Sequence, residues 1–381
     1  MTIRLRSVGV TVYRVPVTDP VLTSFGVLRD RTAVVLHLRD DDGMDGWGEV
    51  WCNFPQAGPE HRARLCVEAI APLALDQSWE TPGQCFEEIS RRLHVLALQS
   101  GEPGPIAQCI AGLDVALWDL WGKRRGEPLW RLLGGRSGEV RVYASGINPT
   151  QPERIALERR DEGHRAFKLK VGFGRDRDRS NLQTLREALG DSAILMVDAN
   201  QAWTPAEAMD MARELAGARP LWIEEPIPAD ESLESWRTVA AASPIPLAAG
   251  ENLRGQHFER FLASGALGVI QPDVAKWGGL SRCLDIAKSA LSRGVMFCPH
   301  WLGGGIGLAA TLHLKAAAGG DGFAEVDANA NPLREALSGR ALPVRDGRIQ
   351  AGDQPGLGVS PRLEELASFV TYSDIATSRQ S

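Results

Sequence analysis

The sequence predicts an α/β protein, a (β/α) barrel preceded by a smaller α+β domain. First, beyond about residue 135, short apolar runs recur at 140–145, 167–171, 194–198, 221–225, 245–250, 268–272, 295–299 and 322–326, their starts 23 to 27 residues apart. Second, most gaps hold a helix-like segment such as 206–215 or 280–291, the beat of strands joined in parallel by helices. Third, no dinucleotide fingerprint and no break in rhythm marks the switch point of an open sheet, so eight units fit a closed barrel better.

In chain order, segments 3–15, 32–39 and 44–50 alternate polar and apolar residues with β-branched content and read as an antiparallel meander. Helical periodicity follows near 60–74, 84–98 and 105–125; the last carries Ala107, Ile110, Ala111, Leu113, Ala116, Leu117 and Leu120 on overlapping i, i+3, i+4 positions. Residues 1–135 thus form the α+β domain. The glycines Gly134-Gly135 lead into a barrel over 136–335, and the tail 336–381 is expected to fold back.

Composition limits the function classes. With 44% hydrophobic and 24% charged residues, the 381-residue chain is an ordinary globular protein of two unequal domains. A net charge of −6 without basic runs gives no electrostatic reason to bind nucleic acid or an anionic membrane, which points to a small-molecule substrate. The six cysteines form no CxxC pair, so they indicate neither zinc nor a disulfide framework and read as buried, reduced thiols. The N-terminus alternates like a strand, and no transmembrane-length apolar run follows; a cytoplasmic location is expected.

The ends of the barrel strands carry the chemistry. They hold Lys168 and Lys170, then Asp198, Glu224 with Glu225, Glu251, Asp273 with Lys276, His300, and Glu325. Barrel interiors are normally filled by branched apolar side chains, so this ring of ionisable groups needs a functional cause. Asp198, Glu224 and Glu251 lie 26 and 27 residues apart, on adjacent strands. Their mutual repulsion calls for a cation, and oxygen-only donors favour Mg²⁺ over Zn²⁺. An Asp in Val-Asp-Ala-Asn is by itself equally a helix cap, and an isolated Lys-Leu-Lys is in most proteins a solvated face. One strand before Asp198, however, a nearby ammonium and metal would lower a lysine's pKa towards the range of a base. Asp273 is placed to hold the tautomer of His300 and to stabilise its charged form. The run Gly303-Gly304-Gly305-Ile306-Gly307 opens a helix and reads either as an anion cradle or as tight packing.

Together these residues resemble the enolase superfamily, specifically its mandelate racemase subgroup, over nearly the whole chain. In the first domain the likeness rests on Ala111-Gly112-Leu113-Asp114-Val115-Ala116-Leu117-Trp118-Asp119 and on Pro128 with Leu132-Leu133-Gly134-Gly135. In the barrel it rests on Lys168-Leu169-Lys170, Val197-Asp198-Ala199-Asn200, Ile223-Glu224-Glu225-Pro226, Gly250-Glu251-Asn252, Pro272-Asp273 with Gly278-Gly279, and Pro299-His300.

The resemblance implies a (β/α)7β modified TIM barrel under an N-terminal capping domain to which the tail returns. It also implies one Mg²⁺ per subunit on Asp198, Glu224 and Glu251, with Lys170 as base and His300 on the opposite face. Lys168 would support the charge of an enediolate, and a protonated Glu325 would bond the other carboxylate oxygen. A homo-oligomer is expected on the same ground. Dehydration of a sugar acid is the leading reading, with racemisation or epimerisation as the alternative. A muconate cycloisomerase-like or dipeptide epimerase-like enzyme would instead pair Lys170 with Lys276. Substrate selection is expected in loops 18–31 and 51–60, holding Thr23, Ser24, Phe25, Arg29, Asn53 and Phe54, with Arg29 or Arg31 at the substrate's distal end. Asn200, Asn252, Lys276 and Trp301 complete the expected contacts. No His-x-His occurs among the seven histidines, which argues against a zinc hydrolase on the same barrel.

Overall fold

The computed structural model describes residues 2–378. The first domain is built on β1 (Ile3–Thr23), β2 (Gly26–Asp40) and β3 (Asp45–Val50), an antiparallel meander, with β4 (Ser78–Trp79) paired to the start of β1. One face of this sheet, including Val8, Val10, Val34 and Leu36, packs on helices Pro82–Ser100 and Pro103–Arg125. β3 approaches the second helix so closely that a Cβ on Gly48 would sit 2.2 Å from the Gly112 carbonyl oxygen, so glycine is required there.

Segment 18–31 is not a loop. After an irregularity between Pro16 and Val21, β1 and β2 pair again through Val21–Leu28, Leu22–Val27 and Thr23–Gly26, forming a two-stranded arm. The prolines interrupt the alternation that marks a strand in sequence, and the bulge lets the ladder resume beyond them.

The barrel strands are β5 (Glu139–Ile147), β6 (Ala166–Lys170), β7 (Ile194–Asp198), β8 (Ile223–Glu224), β9 (Leu247–Ala249), β10 (Val269–Ile270), β11 (Met296–Phe297) and β12 (Ala324–Asp327). All pair in parallel in the order β11-β10-β9-β8-β7-β6-β5-β12. The seam between β11 and β12 is bridged by Phe323 N–H donating to Cys298 Sγ at 3.3 Å and Trp301 N–H donating to Glu325 Oε2 at 2.9 Å. A Cβ on Gly322 would lie 2.0 Å from the Phe297 carbonyl, so the backbone leading into β12 touches the end of β11 there. This is a modified TIM barrel carrying an N-terminal cap.

Strand alternation makes the barrel interior a series of layers. Tyr143, Ala166, Met196, Trp222, Ala248, Val269, Cys298 and Phe323 form an apolar floor. Two residues further along their strands stand Ser145, Lys168, Asp198, Glu224, Gln271, His300 and Glu325, all buried. The floor excludes water from beneath, so this polar layer is satisfied only by its own members or by what enters from the mouth.

The tail serves both domains: β13 (Arg348–Gln350) pairs antiparallel with β5, and β14 (Val370–Thr377) with β1. All six cysteines are free and buried. Among the described residues no helix is long and apolar enough to cross a membrane.

Candidate active site

A cavity of 240 Å³ opens where the cap meets the barrel mouth. From the barrel it is lined by Lys170, Asn200, Glu251, Asn252, Lys276 and His300, and from the cap by Thr23, Phe25 and Asn53, all expected from sequence. Lys168, Asp198, Glu224, Asp273 and Glu325 lie in the layer behind it and hold the lining groups in place.

The two β6 lysines share one face of the strand but meet different surroundings. Lys168 Nζ donates to both Glu224 oxygens at 2.6 Å, lies 2.9 Å from Glu325 Oε1 and 3.6 Å from Asp198 Oδ2. Lys170 Nζ donates to Asp198 Oδ2 at 2.6 Å and to Asn200 Oδ1 at 2.8 Å. The expected lowering of the Lys170 pKa is not what these contacts produce. Burial disfavours the ammonium most, but the Asp198 charge and hydrogen bond together with the Glu224 charge outweigh it and raise the pKa.

Across the mouth, His300 Nδ1 sits 2.7 Å from Asp273 Oδ2, while Nε2 lies 3.6 Å from both Glu251 Oε2 and Glu325 Oε2. Burial opposes the imidazolium, yet Glu251, Glu325 and the Asp273 hydrogen bond together raise its pKa to about 10. In this arrangement the His300 imidazole is held in its protonated form. For Glu325 burial is overcome by the Lys168 and His300 charges, which lower its carboxyl below the usual range and favour the carboxylate in this arrangement. It accepts from Ser145 Oγ and from the Trp301 N–H instead.

Three further expectations change. Arg29 is exposed and does not line the cavity. Arg31 is buried, but Nη2 meets Asp327 Oδ2 at 2.5 Å and Nε donates to the Ala330 carbonyl, so it clasps cap to barrel. Trp301 is buried behind the site, its indole N–H on the Gly304 carbonyl at 2.9 Å. The glycine run does receive an anion, supplied from inside the chain: the Glu49 carboxylate of β3 accepts from Gly304 N–H at 2.5 Å and Gly307 N–H at 2.9 Å.

Trp51, Gln201, Glu225 and Leu302 also line the cavity. Glu225 was visible only as the second acid of Ile-Glu-Glu-Pro, where alternation turns it away from Glu224. Its φ of 39°, like 44° at Asn200 and 65° at Gln201, is left-handed backbone, which overrides the alternation and brings these side chains to the mouth. Burial, with Glu251 nearby, pushes the Glu225 carboxyl up to about 8.

The donor set suits a hard divalent cation: carboxylates on three neighbouring strands, without thiolate, and a histidine already committed to Asp273. Among the described residues no three His, Cys, Asp or Glu side chains form a ready-made cage, because lysine ammoniums hold the same oxygens. Lys168 takes Glu224, Lys170 takes Asp198, and Lys276 donates to Glu251 Oε2 at 2.9 Å. Burial pushes Glu224 up to about 7 against the pull of Lys168, a sign of carboxylates crowded without enough positive charge.

Known proteins match this architecture over almost the whole chain. Residues 7–134 match the mandelate racemase / muconate lactonizing enzyme N-terminal domain, and residues 153–366 the enolase C-terminal domain-like family. The chain belongs to the enolase superfamily, in its mandelate racemase subgroup. Among members of the superfamily, D-galactarolactone cycloisomerase of Agrobacterium fabrum is 34% identical over 356 residues, covering 89% of this chain and 91% of that protein. A crystal structure described as mandelate racemase/muconate lactonizing enzyme from Bordetella bronchiseptica is 48% identical, covers 97% of this chain and 99% of that one, and superposes with a TM-score of 0.92. A mutant L-talarate/galactarate dehydratase liganded with Mg and L-glucarate is 29% identical, covers 99% and 94%, and gives a TM-score of 0.86. The relatives thus include a lactone cycloisomerase and an acid-sugar dehydratase seen with Mg.

Proposed function

We propose that this chain is a Mg²⁺-dependent carbon–oxygen lyase that dehydrates a sugar acid: Lys170 removes the proton next to the carboxylate and His300 protonates the departing β-hydroxyl. The observation that carries this reading is the pair itself. A lysine and a carboxylate-held imidazolium face one cavity from β6 and from the end of β11. A neutral-pH base cannot remove an α-proton beside a carboxylate unless the charge that develops on the carboxylate is stabilised. Mg²⁺ on Asp198, Glu224 and Glu251 would supply that charge. Lys168, fixed under Glu224 and Glu325, adds a second positive charge from below. Lys170 is held protonated by Asp198 in this arrangement and serves as a base once Asp198 engages another partner. A protonated His300 supplies the acid that elimination needs on that side of the cavity.

The likeness to a lactone cycloisomerase supports a second reading with the same proton chemistry. If a ring oxygen takes the place of the β-hydroxyl, the same elimination opens the ring.

Either elimination yields an enol that tautomerises to a 2-keto-3-deoxy acid. Incubating the purified chain with sugar acids and their lactones, with Mg²⁺ or with EDTA, and assaying the keto acid tests the proposal. Product that needs Mg²⁺ and vanishes with EDTA is expected. Inversion at the α-carbon without keto acid would reject elimination in favour of racemisation.

A further inference from the structure

The cavity wall has a charge pattern that bears on which acids it admits. None of the fourteen lining residues is an arginine. Of the cap arginines closest in sequence to the lining, Arg29 is exposed outside it, Arg31 is on Asp327, and Arg62 is on Gln108 Oε1 and the Phe54 carbonyl. The basic groups at the mouth already have carboxylates. Lys170 holds Asp198, His300 holds Asp273, and Lys276 donates to Glu251 and to Asn252 Oδ1 at 2.7 Å while lying 4.3 Å from the Trp51 ring centroid. With Lys168 these are four basic side chains among six carboxylates: Asp198, Glu224, Glu225, Glu251, Asp273 and Glu325. The cap residues of the lining, Thr23, Phe25, Trp51, Asn53 and Phe54, supply no basic side chain for a second substrate anion.

The cap side of the cavity is mostly apolar. The Phe25 and Phe54 rings meet edge to face at 5.0 Å, Trp51 lies 6.4 Å from Phe54, and Leu302 joins them. Thr23, Asn53 and Gln201 are the uncharged polar groups of the wall beyond Asn200 and Asn252. A hydroxylated carbon chain fits such a wall, with C–H faces against the rings and hydroxyls towards the amides. A carboxylate placed there would be desolvated without a partner.

We propose that the substrate carries a single carboxylate and an uncharged polyhydroxy or lactone tail, and that diacids are discriminated against at the Phe25–Trp51–Phe54 wall. This inference rests on the sugar-acid reading above.

Binding separates the two. Isothermal titration of the unreactive Lys170→Ala variant with Mg²⁺ present would compare five- and six-carbon aldonates and aldaric monolactones with aldarates of equal length. Monoacids are expected to bind about tenfold more tightly or better. Aldarates binding as tightly as monoacids would overturn the inference even if the wild-type enzyme dehydrates them. Monoacid binding without turnover by the wild type would leave the charge preference standing and defeat the dehydratase reading. Neither class binding would overturn both. Phe25 is 60% exposed on the arm tip, so Phe25→Arg is compatible with folding and places a guanidinium at the wall. The aldarate-to-aldonate binding ratio is expected to rise in Phe25→Arg and not in Phe25→Ala; an unchanged ratio in Phe25→Arg would argue against this wall as the discriminating element.

Discussion

Lys168 and Lys170 are two residues apart on one strand, but their neighbours give them different work. Lys168 is enclosed by Glu224 and Glu325 over the Tyr143 ring and does not line the cavity; Lys170 does. His300 faces the same space, and its charge depends on the carboxylates around it. An acid raised to about 10 is protonated at neutral pH and loses its proton as the pH climbs through that value. Asp273→Asn removes one of the interactions that raise it. The alkaline fall of kcat should therefore move to lower pH, and kcat should drop by about two to four orders of magnitude, as for loss of an oriented acid. A pH profile from 6 to about 10.5 checks this. An unmoved alkaline limb would separate Asp273 from the proton chemistry.

At the scale of elements, the cap is fastened to the parts of the barrel that carry catalytic groups. Glu49 of β3 bonds the start of helix Gly305–Ala318, whose capping Gly304 lies four residues after His300, and Ser24 of the arm donates to the Asn200 carbonyl at 2.9 Å. Glu49 is fully buried, and burial pushes its carboxyl up to about 7 despite two backbone N–H donors. A carboxyl that ionises later in the fold than in the unfolded chain contributes stability at low pH that is lost as pH rises through about 7. Glu49→Gln presents only one acceptor to two buried donors. The orphaned N–H should cost about 1–3 kcal/mol, read as a lower denaturation midpoint at pH 8. An unchanged midpoint would show that another group, or water, satisfies the helix start.

Across the whole molecule, what the sequence discloses follows from how local each cause is. The barrel was legible because period-two alternation and strand spacing are local: Lys168, Asp198, Glu224 and His300 all stand in the one layer that alternation assigns them. Their proximity across eight strands follows from closure. The arm at 18–31 was misread because Pro16 and Pro20 break the pattern while the partner strand preserves the ladder. Arg31 could not be placed, since Asp327 is 296 residues away. Glu225 was legible only as the companion of Glu224, and Gln201 not at all, because a positive φ, not a residue type, brings them inward.

The central claim is that Lys170 and His300 divide the proton work between two sides of one cavity. Following the α-proton of a turned-over sugar acid by NMR in D₂O with Mg²⁺, in Lys170→Ala and His300→Asn, tests it most directly. Lys170→Ala should neither exchange the α-proton nor eliminate, whereas His300→Asn should wash deuterium into recovered substrate while forming almost no keto acid. Exchange that persists in Lys170→Ala would contradict the account.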